Sequence, residues 1–443
     1  MMEVKFEAYP KYKDSGVEWL GEIPEHWIVG KLGATLKPIS VKNHPTADLL
    51  SITREKGVIQ REVEDDSKNH NFIPDDLSGY KLIKQGQFGM NKMKAWQGSY
   101  GVSPYTGIVS PAYYVFEFTK EVHPDFFHKA IRSKLYVSFF GSASDGVRIG
   151  QWDLSKDRMK QIPILLPPAK EQVAIASFLD EKVGKIDGAI AQKEQLIQLL
   201  NERKQIIIQN AVTKGLNPNA PMKDSGIEWI GKIPEHWEVS RVKFCSRYIS
   251  KGTTPSTVGR EVLSEGEIRF IKSENIVEGE ITQTPKEFID EKTNEIISRS
   301  ILKANDVLFV IAGASLGKTA VLPEHLNGSN TNQAVCFIRP NQVAYSKYLE
   351  MWLQSSAIKS QIWVDAVQSA QPNLSMESLG NFAIPVPPKA EQYELLEYLK
   401  DVSRDFKASE NTLQNTILRL KEYKATLINS AVTGKINVST HGY

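Results

Sequence analysis

"KDSGVEWLGEIPEHW" runs from Lys13 to Trp27, and "KDSGIEWIGKIPEHW" runs from Lys223 to Trp237. Twelve of the fifteen positions are identical, and two of the three changes exchange one aliphatic residue for another. So particular a phrase, written again 210 residues further on, marks an internal duplication. A repeat of this kind shapes the fold more than any local propensity does. Other repeats follow in the same order. "LPPAKEQ" (Leu166 to Gln172) matches "VPPKAEQ" (Val386 to Gln392), and "NAVTKGLN" (Asn210 to Asn217) matches "SAVTGKIN" (Ser430 to Asn437), both offset by 220. The segment between phrase and Pro-Pro motif therefore grew by ten residues, while the segment after it kept its length. Residues 34–165 and 244–383 share little. One part of each half is free to differ, and another is held to a fixed length.

The constant parts have the pattern of long helices. Leu179, Val183, Ile186, Ile190, Ile197, Leu200, Ile207 and Ala211 alternate by fours and threes once Lys193 and Lys204 are placed on the same seam. Leu399, Phe406, Leu413, Ile417, Leu420, Leu427 and Ala431 repeat that seam in the second half, interrupted by Ser403, Glu410 and Lys424. Pro167-Pro168 and Pro387-Pro388 precede the helices, where a missing N–H is tolerated. Gly215 and Gly434 follow them, where a left-handed cap suits glycine. About 43 residues at 1.5 Å each predict rods of roughly 65 Å. Two equal rods, each with an apolar stripe to bury, are expected to pair. Gly184 and Gly188 weaken the first rod by about 1 kcal/mol each relative to alanine; Arg404 and Ala408 take their places in the second.

At 443 residues the chain is long enough for two or three domains. Hydrophobic residues make up 41% and charged residues 24%, ordinary values for a globular protein. No run of about 18 apolar residues appears, so no membrane span is expected. The N-terminus lacks the apolar stretch of a signal peptide, and Cys245 and Cys336 form no CxxC pair, so a reducing cytoplasm is the expected setting. A formal net charge of +2 neither identifies nor excludes a nucleic-acid partner.

Each variable region reads as mixed α/β. "AYYVFEF" (112–118), "LFVIAG" (308–313) and "AVCFIRP" (334–340) read as strands. "PDFFHKAIRSKLYVSFF" (124–140) and "YSKYLEMWLQSSAIKSQIW" (345–363) read as one helix each. "AGASLGKT" (312–319) satisfies a loose phosphate-loop pattern, but "AVLP" follows, which predicts strand-turn-strand rather than the helix start a phosphate loop needs. No Asn-Pro-Pro-aromatic string of an amino-methylating enzyme is present, no Cys/His cluster suggests a metal, and His123 and His128 stand five apart, a poor spacing for one helix face. No catalytic residue is assigned. What remains is polar loop chemistry that reaches phosphates and base edges. In the first half the candidate contacts are Lys92, Lys94, Trp96, Gln97, Tyr100, Tyr105 and Arg148. In the second they are Lys251, Thr253, Thr254, Lys272, Ser273, Asn275, Ser315, Lys318, Asn332 and Gln333.

As a set, the doubled phrase, the doubled "PP–EQ" entry into a long helix, the "AVT" exit, "NKMKAWQGSYGVSPYTGIVSPAY" and "GASLGK" followed by "TNQAV" resemble a specificity subunit of a type I restriction-modification enzyme over nearly the whole chain. The resemblance implies an α+β chain with two mixed α/β target-recognition domains in tandem. Each is followed by a long helix, and the two helices pair as an antiparallel coiled coil within a pseudo-twofold internal repeat. The expected divisions are a recognition domain at 13–168, a spacer helix at 169–214, a second recognition domain at 215–388 and a second spacer helix at 389–434. The resemblance further implies double-stranded DNA as ligand, with one half-site per domain and the gap set by the helices. Two methyltransferase subunits and ATP-dependent restriction subunits are the implied partners. S-adenosylmethionine, Mg and ATP are implied on those partners and no cofactor on this chain, which would carry no catalysis. Trp19, Pro24 and Trp27, with Trp229, Pro234 and Trp237, are then expected to form a structural joint between each recognition domain and the rods. His26 and His236, inside the phrase, are assigned packing or hydrogen bonding. Two rivals are a nucleotide-driven enzyme built around Lys318 and a helical scaffold with two protein-binding heads.

Overall fold

The computed structural model describes residues 6–61, 73–119, 122–148, 151–277, 279–366 and 372–438. The chain forms two compact units, Met1–Glu194 with Gln414–Tyr443, and Gln195–Leu413. The division falls inside both long helices, Ala169–Lys214 and Lys389–Val432.

In the first unit, strands β1 (Leu36–Ile39), β2 (Phe88–Asn91), β3 (Tyr100–Val102) and β4 (Tyr113–Phe118) form an antiparallel sheet in the order β1-β4-β2-β3. Phe88, Tyr100, Phe127, Ile131, Tyr136 and Phe140 share one buried core between this sheet and its helices. In the second unit, β5 (Ser246–Lys251), β6 (Val307–Val310), β7 (Thr319–Val321) and β8 (Val335–Pro340) adopt the same order, β5-β8-β6-β7. Two segments with little sequence in common thus keep one topology. The second adds a three-stranded sheet, Glu287–Ile289 beside Ile268–Ile271 beside Asn330–Thr331.

Where one helix per variable region is expected, each splits in two: Pro124–Ile131 and Lys134–Ser142, and Ser346–Gln354 and Ser356–Ala366. The break falls at a buried serine in extended conformation, Ser133 (φ −63°, ψ 152°) and Ser355 (φ −61°, ψ 154°). Continuous apolar patterning through both points conceals the break.

The long helices pair within each unit. In the first, Lys424 Nζ lies 2.7 Å from both carboxylate oxygens of Asp187. In the second, Ile208, Ala211 and Val212 of the first helix share a core with Leu395 and Leu399 of the second. These contacts set the end of one helix against the start of the other, an antiparallel pairing. Leu179, Ile186, Ile190, Leu399, Ile417, Leu427 and Ala431 are buried, as their place on the seam requires. Gly184 and Gly188 are exposed, with nothing within 4 Å of an added Cβ.

The repeated phrase folds identically twice. Tyr12–Asp14 pairs with Glu22–Pro24, and Met222–Asp224 with Lys232–Pro234, in the same register. Trp27 and Trp237, both fully buried, follow directly. The Trp27 indole donates to Glu171 Oε2 at 2.8 Å, and His26 Nε2 lies 2.6 Å from Glu171 Oε1. The Trp237 indole donates to Glu391 Oε2 at 3.0 Å, with His236 Nε2 at 2.8 Å. These carboxylates are the Glu of each Pro-Pro-x-x-Glu-Gln motif. The adjacent glutamines secure the variable segments. Gln172 Oε1 accepts from the His123 backbone N–H at 2.7 Å, and Gln392 Oε1 from that of Tyr345 at 3.0 Å, just before the first helix of each pair. The far end of the opposite helix closes the joint. Gly434 (φ +73°) sits under Pro24 and Trp27, where a Cβ would collide with the proline ring, and Gly215 (φ +72°) sits under Trp237. Trp19 and Trp229 lie further out, against Phe139 and stacked on Trp352.

Two stability changes of opposite sign follow. Gly184→Ala and Gly188→Ala should each raise stability by about 1 kcal/mol, since an alanine gains helix propensity and meets no neighbour. Trp27→Ala should lower it by about 3–5 kcal/mol, and Glu391→Ala by about 1–3 kcal/mol through an unpaired indole N–H. Urea unfolding of the four variants checks both.

Candidate nucleic-acid interface

Antiparallel pairing brings the sequence-nominated loops of the second unit to one end of its sheet. Lys251 ends β5 opposite Cys336, and Cys336 also faces Phe309, which pairs with Thr319. The loop holding Ser315 and Lys318, the pair Asn332-Gln333 and the stretch Thr253-Thr254 therefore meet there. Thr331 joins them. Its carbonyl accepts from the Thr253 N–H at 3.0 Å, and its hydroxyl donates to the Ile271 carbonyl at 2.7 Å. Gly252 is packed so tightly against the Thr331–Asn332 backbone that no side chain fits. Lys251, Lys318 and Gln333 are exposed.

Two other nominations are used within the fold. Lys272 pairs with Glu287 at 2.6 Å. Asn275 is buried, its amide accepting from the Lys272 N–H and donating to the Pro285 carbonyl, and Ser273 opens the short turn between them. The phosphate-loop lookalike is a hairpin. The Gly317 N–H donates to the Val310 carbonyl, the Val310 N–H to the Lys318 carbonyl, and β7 follows. Its amides serve strand pairing rather than the N-terminus of a helix, which removes the physical basis for a nucleotide site at Lys318.

The corresponding end of the first sheet holds the loop from Lys92 to Ser99. Lys92 pairs with Asp153 at 3.0 Å, Trp96 packs on Trp152 with ring centroids 5.1 Å apart, Lys94 is exposed and Gln97 is half-buried. Tyr100 is a core residue, its ring 4.4 Å from that of Phe140, and burial raises its phenol far above the ordinary range. It cannot meet a nucleic acid without the sheet opening. Tyr105 is exposed but follows β3, at the opposite end of that strand from Trp96. The Arg148 side chain lies outside the described residues.

Behind this loop the fold is fixed by groups that the sequence reading passed over. Arg132 donates to the carbonyls of Gly98, Tyr100, Arg54 and Glu55, tying the end of the loop to the turn between Leu50–Thr53 and Gly57–Gln60. His128 Nδ1 accepts from the Val102 N–H at 3.1 Å. Lys81 Nζ donates to the Tyr113 carbonyl at 2.6 Å and lies 5.8 Å from the centre of the Tyr114 ring, with Lys156 Nζ at 4.9 Å from the same ring. Lys81 and Lys156 stand far apart in sequence and in no motif, so only the fold could gather them. Among the described residues no group of three or more His, Cys, Asp or Glu could hold a metal ion, and no helix is long and apolar enough to cross a membrane.

Residues 234–419 match the family described as type I restriction modification DNA specificity domain. The type I restriction enzyme EcoBI specificity subunit of Escherichia coli is 24% identical over 70% of this chain, and the matched part covers 65% of that subunit, just under two thirds of its length. The EcoKI specificity subunit of Escherichia coli strain K12 is 22% identical over 94% of this chain and 90% of its own. A solved chain from a study of complex assembly and conformational transition in a type I R-M system superposes with a TM-score of 0.64 at 16% identity, covering 93% of this chain and 98% of that one, a likeness of fold.

Burial, with the positive charges of Arg132 and Lys129 nearby, pushes the His128 imidazole down from 6.5 to about 4. The unfolded chain therefore takes up its proton first as pH falls. The stability held by neutral His128 is full above pH 6.5 and is lost between there and about 4, on the order of 3 kcal/mol. The stability difference between the wild type and His128→Gln should narrow across that window in pH-dependent unfolding. A constant difference would contradict this assignment.

Proposed function

We propose that this chain, which belongs to the specificity-subunit family of type I restriction-modification systems, reads a split DNA sequence with one half-site per recognition domain. Residues 13–168 and 215–388 are the two reading domains in this proposal, and 169–214 and 389–434 are the spacers that set the gap. The observation that carries the reading is the pairing of sameness and difference: one strand order and one joint geometry occur twice, while the equally long loops at the same end of each sheet, 92–99 and 311–318, differ in every side chain except Ala95/Ala314 and Gly98/Gly317. A scaffold for identical ligands would need no such divergence. Lys, Thr, Ser, Asn and Gln side chains on those loops suit phosphates and base edges.

The mechanism is geometric. Each domain offers its loops to a groove, and both half-sites must match in sequence and in helical phase, one turn of duplex being roughly 34–36 Å. The chain itself makes and breaks no bond. Two methyltransferase subunits, carrying S-adenosylmethionine, dock against the spacer helices, and restriction subunits supply ATP- and Mg-dependent cleavage, all in the cytoplasm. Exposed Tyr393, Tyr398, Leu199 and Ile206 on the long helices support a protein partner there.

Four residues, about one helical turn, inserted into both spacers should lengthen the tolerated gap and leave each half-site unchanged. Mapping adenine methylation in a host carrying the chain and its partner reads both quantities at once. Rewritten half-sites with an unchanged gap would refute the spacer role.

A further inference from the structure

We propose that Lys42, Lys81 and Lys156 form a phosphate grip on the first recognition domain, which seats the DNA backbone beside the base-reading loop that starts at Lys92. This rests on the DNA-reading function and names residues for it that no motif marks. Four lysines converge here. Lys81 and Lys156 share the Tyr114 ring, at 5.8 and 4.9 Å from its centre, and Lys81 is anchored on the Tyr113 carbonyl. Tyr113 pairs with Asn91, the residue before Lys92, so the group sits at the root of the candidate reading loop. Lys42 enters beside them, since the Leu82 N–H donates to the Val41 carbonyl. Among the described residues Asp153 pairs with Lys92.

Like charges repel, and the bond to the Tyr113 carbonyl and the Tyr114 ring offset that repulsion only in part. The charged side chains that depress the Lys81 ammonium, beyond its burial, are Lys42, Lys156 and Lys92, and among the described residues no carboxylate offsets them. Among the described residues Lys42, Lys81 and Lys156 are paired with no carboxylate, an arrangement suited to an incoming anion. The anchoring of Lys81 holds that charge in place before the anion arrives, so little ordering is left for binding. Phosphodiesters of the DNA backbone, spaced along a strand, are the anions that the proposed function brings to this end of the sheet.

The test is the salt dependence of cognate DNA binding by the chain assembled with its methyltransferase subunits. Each phosphate contact contributes about 0.9 to the slope of log K against log salt. Lys81→Gln with Lys156→Gln should flatten the slope by about 1.8 and weaken binding about tenfold or more at about 0.15 M salt, with the methylated sequence unchanged. Lys42→Gln should remove about 0.9. Lys81→Arg with Lys156→Arg, which keeps the charge, should keep the slope. Lys37→Gln, whose partner is Glu117 at 3.0 Å, should leave it unaltered. An unchanged slope in the Gln double variant, an equal loss in Lys37→Gln, or a new methylated sequence would overturn the grip. A wild-type assembly that fails to retain specific DNA would instead overturn the DNA-reading function.

Discussion

Two carboxylates govern the architecture. Glu171 and Glu391 stand in the first turn of each long helix, and each receives a buried indole N–H and a histidine ring from the repeated phrase. A buried indole donor without a partner is costly, so each carboxylate favours one seating of the repeated phrase on its helix. The neighbouring Gln172 and Gln392 add a second tie, to the backbone just before the paired shorter helices. One dipeptide thus ties down two segments far apart in sequence, and it lies where the helix is already held by two prolines. The glycine at the end of the other long helix then fills the remaining space under the tryptophan. Everything beyond this joint is free to change as long as the sheet closes.

That freedom is visible in the variable segments. The strand order survives although most residues do not, because a central strand buried on both faces, as Val307–Val310 is, asks for apolar side chains rather than particular ones. The extra length of the second segment does not enter the sheet. The polar loops at the strand ends are held from behind by buried Thr331 and half-buried Arg132 and His128. Rigid support behind exposed polar loops is what a base-reading surface needs, since a loose donor discriminates poorly.

The fold was legible wherever the sequence repeated itself. The phrase, the Pro-Pro-x-x-Glu-Gln entry, the heptad seam and the terminal glycines all mark positions where backbone geometry or burial admits few residue types. The seam could be read through Ser403 and Glu410, which are half-buried on it. Less legible were Ser133 and Ser355, where tertiary packing breaks helices that periodicity runs together. The loops of the second domain could be nominated from composition and do meet at one sheet end. Tyr100 and Asn275 could not be told from contact residues, because an aromatic or an amide in a polar stretch looks the same whether it faces solvent or core. Lys81 and Lys156 carried no local signal, as their meeting depends on strand pairing and on the start of a helix far along the chain.

The two joints differ in detail: Tyr9 and Tyr12 of the first donate to the Glu171 carboxylate and the Gly434 carbonyl, where Asn219 and Met222 stand in the second, and the helix ends differ too. The first long helix ends Lys214-Gly215 and the second Gly434-Lys435, an inversion of two letters. Both glycines nonetheless reach the same left-handed conformation beneath a tryptophan. In the second arrangement the displaced Lys435 swings onto the Glu22 carbonyl at 2.6 Å. The sockets are therefore equivalent in shape without being copies atom for atom. Modules cut at their edges should be transferable between the two seats, as plugs of one gauge, and a lineage could acquire new sequence preferences by shuffling whole heads without redesigning the stem.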